Sequence, residues 1–338
     1  MSEVDYDDYL GDVITNDFKM TRNITKRNSK SVGKSSQIIN MLEELSLGFF
    51  YFKIAMILRN ALFVSSCLVN VEVWYPLKER EICELEKTDR ILLKRILGAP
   101  CSTNSELLFL DLGVIPLGHL IIARRIMFLH YILTRETDHL LSKFFKTQCR
   151  EPLPGDWCEQ VKKDLATFKI KDTFEQISKQ SKDQFRRKIK SACEKTALKD
   201  LLESQTKHSK GSNLKYDKLE MQGYLKNEHI NPELAKFLFK IRSRGLSVKN
   251  NRKSQYLKQS NDEKQLYCPL GCLELDDQKH LLTCVSLQNQ SIDFKYEDLF
   301  HPTDTVDQAT KMKTILTKMM NLWKEREQKL EQSEDDNE

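Results

Sequence analysis

The sequence has little proline and little glycine: 8 and 11 residues in a chain of 338. These residues supply the tight turns of many-stranded sheets, so their scarcity argues for helices. No uncharged apolar run reaches the roughly 20 residues needed to cross a bilayer. The most apolar stretch, residues 49–74, carries Lys53, Arg59, Asn60 and Asn70 and is expected to form a buried helix pair. The opening MSEVDYDDYL is acidic and polar, which is not the pattern of a secretory leader. No internal repeat of fixed period is present, which argues against solenoids and propellers. Disulfide spacing is lacking too. The cysteines number 9, an odd count spread along the chain, and an intracellular location in nucleus or cytoplasm is expected, where clustered thiols bind metal more often than they pair.

What is present is charge. Charged residues make up 30% of the chain and apolar ones 40%, more polar than the globular average, in a chain long enough for two or three domains. The formal net charge of +5 conceals an uneven distribution. Residues 161–260 hold 25 Lys/Arg against 11 Asp/Glu, and the terminal EQSEDDNE offsets part of the surplus. A local excess of this size fits a polyanionic partner such as RNA or DNA. A solvated, lysine-rich helical surface accounts for the same numbers.

Residues 9–18, YLGDVITNDF, read as a strand, a polar turn and a second strand. A helical pattern follows, with Ile38, Leu42 and Leu45 at helical spacing. In EREICELEKTDRILLKRILG, Ile82, Leu85, Leu92, Leu93 and Ile96 form one apolar face, and Gly98 with Pro100 ends the helix. A short helix, a break at GVIPL and a long apolar helix to about Leu133 come next. Arg124 and Arg125 interrupt that apolar helix, either as snorkelling surface residues, the favoured reading, or as a basic stripe. A further helix is expected at TDHLLSKFFK, and LPGDW marks a candidate boundary near residue 155. SKDQFRRKIKSACEKTALKDLLE reads as a helix, KHSKGSN at 207–213 as a loop, and Asn231 with Pro232 as a helix start. A last helix is expected over 303–330. The fold class is therefore mainly α, with a short N-terminal β-hairpin and a small C-terminal knuckle.

The strongest chemical signal is CPLGCLELDDQKHLLTC at 268–284, Cys-x3-Cys-x7-His-x3-Cys. Zinc takes a tetrahedron of thiolate and imidazole, and four protein ligands close a structural site. Cys268 and Cys272 bracket a tight turn holding Pro269 and Gly271, while His280 and Cys284 share one helical face at i and i+4. Cys268, Cys272, His280 and Cys284 are the candidate ligands of a structural zinc, with no position left for a reactive water. Cysteines 67, 83, 101, 149, 158 and 193 are isolated, with core burial the default reading. The other histidines have no ligand-like partners.

YLGDVI, KSVGKSSQIINMLEE, EVWYPLKEREICELEKTDRILLKRILGAP, ELLFLDLGVIPLGHLIIARRIMFLHYIL and the knuckle occur in this order. The set resembles the C-terminal end of non-LTR retrotransposon reverse transcriptases, over nearly the whole chain. The resemblance implies the end of a polymerase palm with its primer-grip hairpin at 1–33, a helical thumb-like domain at 34–150 and a basic helical connector at 151–230. It further implies a helix with the zinc knuckle at 231–300, then a C-terminal helix and acidic tail at 301–338. Such polymerases need a Tyr-x-Asp-Asp turn and a third carboxylate to hold two Mg²⁺. Asp7 and Asp8 follow Tyr6 without an intervening residue and abut YLG, so they read as an acidic N-terminus. No Pro-Asp follows Cys284, so the pattern of an appended endonuclease is absent. A non-catalytic, RNA- and/or DNA-binding fragment is thus expected, with a polymerase palm or another element-encoded protein as a further partner. The alternative is a zinc-stapled protein-interaction scaffold, or a truncated reverse transcriptase that acts only together with a palm domain. The basic band supplies phosphate-contact candidates: Arg186, Arg187, Lys188, Lys190, Arg242, Arg244, Arg252, Lys253 and Lys258, with Tyr256 and Tyr267 for stacking.

Overall fold

The computed structural model describes residues 6–9, 12–15, 19–153, 156–207, 214–249, 266–287, 296–300 and 305–335. Strands β1 (Tyr6–Tyr9) and β2 (Asp12–Thr15) form an antiparallel hairpin, in register from Tyr6 opposite Thr15 to Tyr9 opposite Asp12. It lies three residues earlier than the sequence pattern suggests. Helix α1 (Thr21–Glu44) follows. One carboxylate ties hairpin to helix: Asp12 accepts hydrogen bonds from Asn23 (3.2 Å), Arg27 (2.6 Å) and Asn70 (2.8 Å).

Next, α2 (Tyr51–Leu58), a wider turn of π type (Arg59–Val64) and α3 (Ser65–Cys67) run on as one rod. The expected helix pair is therefore a single helix. Gly48–Cys67 is long and apolar enough to cross a membrane. Its inner side, with Phe52, Ala55, Phe63 and Cys67, packs into the core, and Leu45, Phe49, Phe50 and Ile57 stay exposed along its length and at its entry. Arg59, buried in mid-rod, is held bidentately by Asp89 of α4 (Glu79–Leu97). Helix α4 buries Leu85, Leu92, Leu93 and Ile96 and ends at Gly98, whose φ of +59° completes the expected left-handed cap.

Helix α5 (Ser105–Leu112) buries Leu107, Leu108, Phe109, Leu110 and Leu112 together with the carboxylate of Asp111, and ends at Gly113, with φ +64°. A Cβ at Gly113 would lie 2.2 Å from the backbone of Glu220 and Met221, so this turn requires glycine. Helix α6 (Leu117–Leu133) is the long apolar helix read from the sequence. Around it pack α7 (Leu140–Arg150), α8 (Trp157–Thr167), α9 (Phe174–Lys179) and α10 (Lys182–Thr206). These helices share one apolar cluster, and Trp157 sets its ring edge-on against both Phe128 and Phe145. The boundary expected at 150/151 falls inside this cluster.

A second, larger cluster joins α1, the rod, α4 and α5 to α11 (Gly223–Lys226), α12 (Pro232–Arg242) and the final helix α13 (Val306–Asp335). Asn231 caps α12 by accepting from the Leu234 amide at 2.9 Å, as its sequence implies.

Buried cations join these layers. Arg125 is 3% exposed and donates to Asp164 of α8 at 2.7 and 3.2 Å. The surface reading of that residue was wrong, because an Asp two helices away neutralises it inside the core. Arg124 is half-buried and donates to the Leu68 carbonyl. The two arginines that interrupt the apolar pattern of α6 are thus its attachment points.

Candidate metal centre

The knuckle begins with a tight turn. Tyr267 bridges to Leu275 in antiparallel fashion, the Cys268 amide donates to the Glu274 carbonyl at 2.7 Å, and the Gly271 amide donates to the Cys268 carbonyl at 3.2 Å. Gly271 takes φ +82° and Leu273 φ +58°, which bends the chain back so that both thiols face inward. Asp277 then caps a short 3₁₀ turn, His280–Leu282, by accepting from the His280 amide at 2.7 Å. The helical face expected for His280 and Cys284 is reduced to this single turn, and Cys284 lies beyond its end.

The two halves meet at one point. The ligand atoms of Cys268, Cys272, His280 and Cys284 all lie within 4.8 Å of one another. The Sγ atoms of Cys268 and Cys284 are 3.9 Å apart, and those of Cys272 and Cys284 3.6 Å. A tetrahedron with Zn–S bonds of ~2.3 Å has edges of ~3.8 Å, so the thiols already sit at ligand spacing. The Cys272 Sγ to His280 Nε2 distance of 2.9 Å is that of a thiol–imidazole hydrogen bond. Burial, with neighbouring thiols adding to it, pushes the Cys268 thiol up to about 12, so metal binding must displace its proton. The set of three thiols and one imidazole can hold a metal ion, and its chemistry is consistent with zinc.

The group that orients the imidazole was not among the expected site residues. His280 Nδ1 lies 2.8 Å from the Glu274 carboxylate. That partner places the ring proton on Nδ1 and leaves the Nε2 lone pair facing the thiols. Glu274 stands two residues after Cys272, which is the only local cue.

Two helices clamp the knuckle. Asp276, fully buried, accepts from Arg326 of α13 at 2.5 and 2.8 Å and from the Lys249 amide at 2.7 Å. Gln278 donates to the Ile241 carbonyl of α12 at 2.9 Å, and Lys329 donates to the Ser286 carbonyl at 2.7 Å. Cys268, Leu281 and Cys284 belong to the same apolar cluster as α12 and α13. The ligands are therefore anchored to the body of the protein.

The phosphate-contact candidates separate. Arg186, Arg187, Lys188 and Lys190 all stand exposed on α10, and Arg244 is exposed just past α12. Lys188 is paired with Asp172, and Arg187 donates weakly to the Asp183 carbonyl of its own helix. Arg242 is 8% exposed and bound on both sides by Asp111, whose oxygens also accept from Tyr216 at 2.6 Å and Tyr224 at 2.7 Å. It is a buried fastener, because α12 turns that side of itself toward α5, and not a phosphate contact. Arg252, Lys253, Tyr256 and Lys258 lie outside the described residues. Tyr267 is partly exposed beside Cys268.

Among the other cysteines, Cys83 and Cys101 are exposed, contrary to the expected burial. Cys149 and Cys158 are not isolated: their Sγ atoms lie 3.2 Å apart, because the bend between α7 and α8 brings them together. Comparison with known proteins finds no matching family model, no similar curated protein and no similar solved structure.

Proposed function

We propose that this chain is a non-catalytic nucleic-acid-binding protein whose C-terminal part is folded by a structural zinc, and that it corresponds to the thumb-to-knuckle end of a non-LTR retrotransposon reverse transcriptase. The observation that carries the binding reading is where the positive charge ends up. Among the described residues of 161–260, burial removes one cation, Arg242, and one acid, Asp164. Among the described residues the basic surplus therefore stays at the surface, with Lys182, Arg186, Arg187, Lys188 and Lys190 exposed on α10. The closed four-ligand set supports a zinc that folds rather than reacts, since no coordination position is left for water.

The test is titration of labelled RNA and DNA oligonucleotides with the zinc-loaded protein at several salt concentrations. The logarithm of the affinity should fall linearly with the logarithm of salt, by about 0.7 to 0.9 per phosphate neutralised. Binding that is undetectable, or indifferent to salt, overturns the proposal. The exposed Leu45, Phe49, Phe50 and Ile57 favour a second reading, a surface for a protein partner such as a polymerase palm. A partner retained after nuclease treatment, with weak oligonucleotide binding, would establish that one instead.

A further inference from the structure

Helices α6 and α10 do not close on each other completely. Between them and the Arg59–Val64 turn lies an open trough of about 890 Å³, within the range of about 300–1,000 Å³ typical of ligand pockets. Its floor is one face of α6, where Met127, Phe128 and Tyr131 line the opening. One wall is α10, which contributes Lys182, Arg186 and Lys190.

These three cations stand at i, i+4 and i+8, so they form a row along the wall at intervals of ~6 Å. Lys182 and Arg186 make no ion pair among the described residues, and Lys190 has only a distant Glu194 at 3.9 Å. Arg124 adds further positive charge at the opposite side, whereas Arg59 is neutralised by Asp89, and Glu72 is the one carboxylate among the described lining residues. The sequence run RRKIK is thereby divided by function: Arg186 and Lys190 turn into the trough, while Lys188 pairs with Asp172 on the other side. On the floor, Phe128 and Tyr131 lie nearly parallel, with an interplanar angle of 12° and centroids 5.8 Å apart. Tyr131 is 40% exposed, and the Arg135 guanidinium lies 3.9 Å from its ring centre.

We infer that this trough binds a single-stranded nucleic-acid segment, with backbone phosphates on Lys182, Arg186 and Lys190 and an unstacked base on the Tyr131 ring in place of the Arg135 guanidinium that lies over it. The inference deepens the binding reading above and rests on it. A phosphate row beside an exposed aromatic floor is what single-strand sites combine. A duplex keeps its base faces stacked inside and would leave the apolar floor uncovered. A simple acidic peptide would use the cations and have no use for the aromatic rings.

The experiment measures the affinity of the full, zinc-loaded chain for a labelled single-stranded oligonucleotide, as RNA and as DNA, across a salt series. Matched duplexes and polyglutamate serve as competitors. All four altered side chains are exposed or at the trough edge, and circular dichroism checks that helicity is kept. K182A/R186A/K190A should weaken binding at least tenfold and lower the salt slope by about 2, since each phosphate contact contributes about 0.7 for single strands. Tyr131→Leu should weaken binding several-fold and leave the slope unchanged. K311A/K313A/K318A, which removes three exposed lysines from α13, should change neither. Wild-type affinity and slope in the α10 triple variant overturn the trough while leaving the general binding reading intact. Preference for duplex, or equal displacement by polyglutamate, also overturns it. No oligonucleotide binding by the unaltered protein overturns both readings together.

Discussion

Asp111 accepts hydrogen bonds from Tyr216, Tyr224 and both arms of Arg242 while fully buried. Burial, followed by the adjacent carboxylate, pushes both phenols well above their ordinary range, so they stay protonated donors. Asp111→Ala leaves Arg242 charged and unpartnered, and a broken buried pair costs about 3–5 kcal/mol. The expected outcome is a loss of that size in urea unfolding, against about 1 kcal/mol for Tyr216→Phe. Glu274 has the opposite character, since its side chain is 60% exposed and its value lies in orienting His280. Glu274→Gln should leave the fold in place yet lower metal affinity about 10- to 100-fold, read by competition with a chromophoric chelator. These two residues show what sequence reading can and cannot reach. The four ligands were legible because seventeen consecutive residues contain them all. Asp111 and Arg242 are 131 positions apart, and a lone Arg on a helix looks the same whether it meets a phosphate or a buried carboxylate.

Element ends were the most legible features, because a cap is written within one turn. Gly98 and Asn231 both occupy the positions their neighbours predict. Two glycine caps should nonetheless respond differently to alanine. At Gly98 an added Cβ meets only the flexible Lys236 side chain at 3.4 Å, whereas at Gly113 it meets backbone at 2.2 Å. Gly98→Ala should cost about 1 kcal/mol from positive φ alone, and Gly113→Ala clearly more, because the 214–224 segment must move off α5. Thermal denaturation of both variants checks the order. The hairpin depends on a different kind of end. Burial pushes the Asp12 carboxyl up, but hydrogen bonds from Arg27, Asn70 and Asn23 outweigh it and hold it below the ordinary carboxylate range. A carboxyl held low in the folded state stabilises it above its unfolded value, and that contribution disappears as pH falls through the folded value. Protection of the β2 amides, taken as exchange relative to each amide's intrinsic rate, should therefore fall on acidification below about pH 4. In Asp12→Asn the protection should already be low at neutral pH and change little. The hairpin's register itself was misplaced in sequence because an acidic YDDY gives no alternation of apolar and polar residues to fix it.

Across the whole molecule, the knuckle is continuous with the main core, since Leu281 and Cys284 share a cluster with α12, α13 and α4. Stripping the metal with a chelator should thus lower the melting temperature of the full protein and detach α13, rather than melt an independent appendage. A differential scanning measurement with and without chelator tests this, and a global transition that does not move counts against it. One apolar cluster likewise runs across the division implied at 150/151. Polar, lysine-rich stretches look like linkers, but Phe185, Ile189 and Cys193 of α10 are buried against α6. The clasp between Asp276 and Arg326 adds a matter of timing. The carboxylate is made 50 residues before its partner, which at about 5–20 residues per second is a wait of several seconds during synthesis. All four ligands exist before α13 arrives to cover them. The candidate site therefore stands open to a metal ion for an interval in the life of the nascent chain, and α13 closes over it afterwards.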